Sequence, residues 1–154
     1  MLSLINADRA ALGLDPYALE MVLNHAAEDH SLWMLEEDDL NHTGINNSQP
    51  SDRMEAAGFD LTPPSSAAEN VGVTSAFGNP DIYTKIDELH AGLMNSSGHY
   101  ANLMSTSLDY IGIGIEIGAF DFGGGDIPSV IVTQKFASTL ADVDLDFGSI
   151  RNGA

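Results

Sequence analysis

Met94-Asn95-Ser96-Ser97-Gly98-His99-Tyr100-Ala101-Asn102-Leu103-Met104 is the stretch on which the reading of this chain turns. It places one histidine, His99, directly after a Ser-Ser-Gly run and directly before a short apolar-periodic segment. Gly98 permits a tight backbone turn, and the serines around it are good helix starters. Leu103 and Met104 can anchor the segment to a core, which directs the imidazole toward a cleft. Two further pieces stand upstream in the same small domain, Asn41-His42-Thr43-Gly44 and Ala68-Glu69-Asn70-Val71-Gly72.

Helical and extended patterns can be read outward from these pieces. Leu2, Ile5 and Leu12 give a short amphipathic helix closed by Gly13. Asp15-Pro16 reads as the start of a long helix, with Leu19, Val22, Leu23, Ala26, His30 and Trp33 as its stripe to about Leu35. The acidic run Glu36-Glu37-Asp38-Asp39 follows at an unfavourable helix end, either solvated or an ion site. Asn41 to Pro50 is a turn-rich loop carrying His42, and Ser51-Asp52 opens a short helix stopping at Gly58. Thr62 to Ser66 is an extended connector to Glu69. Asn79-Pro80 caps the helix of Ile82, Ile86, Leu89 and Leu93. Ile111, Ile113, Ile115 and Ile117 alternate with Gly112, Gly114 and Glu116, a period of two that predicts a strand. The glycines of its other face would let a helix approach closely. Ala119 to Pro128 reads as a Gly-rich loop returning to a strand over Val130–Phe136. Runs of helix before a hairpin make the class α+β.

Composition sets limits. The 154 residues carry 23 Asp+Glu against 5 Lys+Arg, a formal charge of −18. That balance excludes nucleic acid, which needs a basic patch, and argues against docking on anionic membranes. It serves solubility or attracts cations. There is no cysteine, hence no disulfide and no thiol chemistry. No run approaches the roughly 18 apolar residues of a membrane span. No signal peptide is visible at the N-terminus, and the expected oligomeric state is a monomer.

In order and spacing the three pieces resemble the CAP superfamily: the cysteine-rich secretory, antigen-5 and pathogenesis-related proteins, also called SCP-like. Asn6-Ala7-Asp8-Arg9, Gln49-Pro50-Ser51-Asp52-Arg53-Met54-Glu55-Ala56-Ala57-Gly58-Phe59, Ile111–Ile115 and Val132–Phe136 are similar to its bacterial-type branch. The resemblance runs from about Leu2 to Phe136. It implies an α-β-α sandwich, a small antiparallel sheet between helical layers, with residues 1–137 as the domain and 138–154 as an acidic tail or linker carrying Asp142, Asp144 and Asp146. It also implies an extracellular, secreted protein. Members are linked to sterol or lipid binding, ion-channel modulation and proposed proteolysis.

The same resemblance implies a cleft lined by His42, Glu69 and His99. The family's second glutamate lies three residues after a tryptophan; here those positions are Leu93 and Ser96, so Ser96 is a ligand-binding candidate in place of a carboxylate. General acid–base work needs two groups with separated pKa values, so the loss argues against an enzyme. His42, His99 and Glu69 remain a chemically sensible set for zinc or another divalent cation. Two further roles stay open for them: Glu69 orienting one imidazole, and a purely structural cluster. The expected function is a binding module taking a metal, small ligand or protein. The alternatives are a metal-dependent hydrolase and a structural or adhesion module. Ser96 and Ser97 near His99 do not form a nucleophile elbow. His30 reads as a core histidine, His25 as solvated, and His90 as a neighbour of the Ile86–Leu93 stripe, with a place at the cleft border as the lesser alternative. Trp33, Met34 and Met94 read as core. Phe122-Gly123-Gly124-Gly125-Asp126 fits neither a phosphate loop nor a calcium hand.

Overall fold

The computed structural model describes residues 1–145. In chain order it contains α1 (Leu2–Ala11), β1 (Ala18–Leu19), α2 (Met21–Glu37), α3 (Pro50–Ala56), β2 (Ser66–Ser75), α4 (Ile82–Met94), α5 (Ser97–Leu103), β3 (Tyr110–Asp121) and β4 (Asp126–Ser138). The strands form one sheet in the order β1-β3-β4-β2.

Side-chain alternation along the strands sorts the helices into two layers. Val130, Val132 and Phe136 of β4 join Ile111 of β3 in a core with Ile5, Leu89, Leu93 and Leu103, so α1, α4 and α5 cover that face. The intervening residues turn the other way. Ala137 meets Leu23 and Met54, and Ile131 meets Met34, Val71 and Phe120, so α2 and α3 cover the second face. The arrangement is the expected α+β sandwich. The glycines of β3 decide how close α2 can come. A Cβ on Gly112 would sit 2.1 Å from the Leu23 carbonyl carbon, and one on Gly114 would sit 2.3 Å from that of Ala27. Only glycine leaves room for this contact.

Several local expectations fail for physical reasons. Asp15-Pro16 does not start the long helix. The Asn6 side chain bonds both the amide and the carbonyl of Tyr17, and Arg9 lies 3.8 Å from the Tyr17 ring centroid and bonds the Asp15 carbonyl. These contacts hold the segment extended, so Ala18 and Leu19 pair with Tyr110 and Ile111 as a parallel strand. The sheet is therefore mixed, not wholly antiparallel. Helix α2 begins only at Met21, its N-cap Glu20 accepting from the Leu23 amide at 2.7 Å, and it ends beyond Leu35 on Asp38, which has φ 53°. Asp81, not Asn79-Pro80, caps α4 by accepting from the Tyr83 amide. Gly98 lies inside α5 and makes no turn; the break falls at Asn95 and Ser96. The supposed loop over 119–128 is mostly strand. Asp121 Oδ1 accepts from the amides of Gly123, Gly124 and Gly125, which shortens the connection to a tight turn. After β4, Leu140 donates to the Thr62 carbonyl and Val143 packs beside the Leu23–Met54 cluster. Asp142 and Asp144 are described, whereas Asp146 and the residues after it lie outside the described residues.

Candidate functional site

Strand β2 carries the site. Its register against β4 sets Glu69 opposite Lys135 and Asn70 opposite Gln134. Alternation sends Glu69 toward α2 and α3, and Asn70 toward α5. Both pairs are buried.

The Glu69 carboxylate is fully engaged. Oε2 accepts from Lys135 Nζ at 2.5 Å and from Arg53 at 2.9 Å. Oε1 accepts from Arg53 at 3.2 Å and faces His42 Nδ1 at 3.0 Å. Burial alone would raise its pKa, but the His42 hydrogen bond and the Lys135 charge overcome this and hold it at about 2. An ionised carboxylate only accepts, so His42 Nδ1 carries a proton, and in the uncharged ring the lone pair lies on Nε2. The His42 side chain is 52% exposed, which leaves Nε2 to solvent. Glu69 thus stands in the orienting role.

Two of the four residues meeting at this carboxylate were not picked out from sequence. Arg53 lies in a stretch read only for its order. It also bonds the carbonyls of His42 and Ser48, tying the loop to α3. Lys135 is fully buried in the run Val130–Phe136. A lysine inside so apolar a strand requires a counter-ion, and that was the available signal. Burial lowers its pKa to about 8 against the pull of Glu69. His30 joins from α2: its Nε2 donates to the Asn41 carbonyl at 2.8 Å and lies 3.7 Å from Glu69 Oε1. Burial lowers its pKa to about 4, so near neutral pH it is an uncharged core histidine, stacked on Trp33.

His99 lies on the other side of β2, on α5. Asn70 Nδ2 donates to the His99 carbonyl at 3.2 Å and to Gln134 Oε1 at 3.1 Å, while Asn102 donates to Asn70 Oδ1 at 2.9 Å. This amide chain ties α5 to the sheet one residue from Glu69. Burial lowers the His99 pKa, and the charge on His42 lowers it further. His99 and Ser96 line a groove of about 350 Å³ with Leu40, Val71, Val73 and Leu93. His90 does not border that groove; it is buried against Asp8 of α1 at 2.6 Å. His25 is exposed, 3.8 Å from Glu28.

Both oxygens of Glu69 are taken by cations, and a carboxylate so committed is a poor ligand for a further cation. Among the described residues no group of three or more His, Cys, Asp and Glu is placed to hold an ion. The trio His42, Glu69 and His99 does not fit a three-ligand centre. Also among the described residues, no helix is long and apolar enough to cross a membrane.

Comparison with known proteins agrees with the architecture. The chain is similar to an extracellular protein containing an SCP domain from Bacillus anthracis, at 20% identity and TM-score 0.65, covering 88% of this chain and 38% of that one. It is similar to an outer surface protein of Borrelia burgdorferi, at 17% identity and TM-score 0.62, covering 90% of this chain and 89% of that one. A cysteine-rich secretory protein of Staphylococcus aureus matches at 22% identity and TM-score 0.50, over 86% of this chain and 36% of that one. The chain thus spans little more than a third of the Bacillus and Staphylococcus proteins. No curated protein matches its sequence. The model for the CAP family, described as the cysteine-rich secretory protein family, matches residues 2–136, and the chain belongs to that family.

Proposed function

We propose that this chain is an extracellular, non-catalytic binding module whose ligand meets the imidazoles of His42 and His99. The observation that carries the reading is the state of Glu69. Clamped by Arg53, Lys135 and His42, it is ionised and has no proton to give. The position that would supply a second carboxylate is Ser96. What remains are two imidazoles: His42, whose side chain is half exposed, and His99 on the groove, whose buried Nδ1 has no protein partner. An imidazole ring offers a ligand hydrogen-bonding nitrogens. The extracellular Bacillus protein and the outer surface protein of Borrelia support the extracellular setting. The much longer Bacillus and Staphylococcus chains support a place within a larger extracellular protein.

The test is a broad peptide and ester substrate screen with added zinc, comparing the wild type with His99→Ala. The reading expects no turnover above background in either. Metal-dependent turnover lost in His99→Ala would establish the hydrolase instead.

A further inference from the structure

Strand β2 closes the sheet on one side, and among the described residues nothing pairs with its outer edge. The outward backbone groups can be assigned. The Glu69 carbonyl points away from the sheet, since it accepts from the Asn102 side chain at 3.5 Å. In an antiparallel pair the inward and outward residues alternate. Val71, Val73 and Ser75 therefore also present their amides and carbonyls outward. Among the described residues no hydrogen bond beyond the β2–β4 ladder engages them. Exposed edges are commonly blunted by lysine, proline or a bulge. From Val71 to Ser75 the sequence has no charge and no proline, and its pairing with β4 is unbroken.

The space beside this edge is shaped to match. The groove holding His99 and Ser96 runs along Val71–Thr74. A second hollow of about 310 Å³ continues from Val73 and Thr74 to Phe77, Phe122 and Ile127. Phe77 and Phe122 are 66% and 50% exposed, an apolar end to the path. Val71 to Ser75 spans roughly 14 Å of strand, at about 3.4 Å per residue.

We propose that the free edge of β2 takes up an extended, basic peptide segment of a partner protein as an added strand, with an apolar side chain at the Phe77–Phe122 end. The inference rests on the reading of the His99 groove as a binding site, and gives that site its ligand class. Strand addition supplies backbone hydrogen bonds, and alternate side-chain positions supply selectivity. The charge of −18 attracts a lysine- or arginine-bearing segment and opposes a second copy of this chain in the same place.

The test uses the full chain and the probe acetyl-Lys-Val-Lys-Val-Lys-Phe-amide. Two further probes are N-methylated, one on the valines and one on the lysines, and a fourth replaces lysine with glutamate. The parent peptide is expected to bind by calorimetry and to slow amide hydrogen exchange at Val71 and Val73. One N-methylated probe loses at least tenfold in affinity while its complement does not, because only alternate amides face β2. The glutamate probe and the variant Val73→Pro each lose at least tenfold. Absence of parent binding, equal binding of the two N-methylated probes, or unchanged exchange at Val71 and Val73 overturns the proposal. None of these results bears on turnover, by which the non-catalytic reading is judged separately.

Discussion

Glu69 receives hydrogen bonds from three side chains on two oxygens, and two of those side chains are cations. Removing its charge leaves Arg53 and Lys135 close together without a counter-ion. Breaking a buried pair in this way costs about 3–5 kcal/mol, whereas exchanging a whole ionic cluster for apolar groups is often neutral. Glu69→Gln is therefore expected to destabilise the fold by about that amount in urea unfolding. Adding Lys135→Met should recover part of the loss. A Glu69→Gln variant within about 1 kcal/mol of wild type would show that the carboxylate is not the clamp described. At this scale the sequence was partly legible. His42, Glu69 and His99 stood out because the short motifs that hold them resemble those of the family. Lys135 did not, since pairing across strands depends on register, and the sequence pattern marks no strand over Ser66–Ser75.

Among the elements, the β3 alternation was the clearest signal, and its consequence is steric. The α2 backbone crosses β3 at a distance that only Gly112 and Gly114 permit. Gly112→Ala would drive a Cβ into main chain that cannot rotate away, so its cost should lie at or above the upper end of the ~1–3 kcal/mol typical of overpacking. Gly118→Ala is the control. Its Cβ would meet the flexible end of Leu35 at 3.1 Å, and a cost below about 1 kcal/mol is expected. Thermal unfolding of the two variants decides the matter, and equal costs would contradict the described crossing. The start of α2 was illegible for a related reason. Asp15-Pro16 is a sound local helix signal, but the Asn6 clamp on Tyr17 and the parallel pairing with β3 are tertiary contacts that override it.

For the whole molecule, three motifs far apart in sequence carried the family, because together they specify one arrangement around β2. They did not carry the electrostatics. In a chain with so few basic residues, Arg53 and Lys135 both converge on one glutamate in the interior. That placement keeps Glu69 ionised and fixes the His42 ring, while His99 lines the groove beside the β2 edge. The measurement that tests this account most directly is a pH series of imidazole ¹⁵N spectra on the intact chain. The account predicts neutral His42 in the Nδ1–H form, with its lone pair on Nε2. It also predicts that His99 titrates below the usual histidine value of about 6.5, because burial and the His42 charge both disfavour its proton. Neutral His42 in the Nε2–H form, or His99 titrating at or above that value, would contradict it.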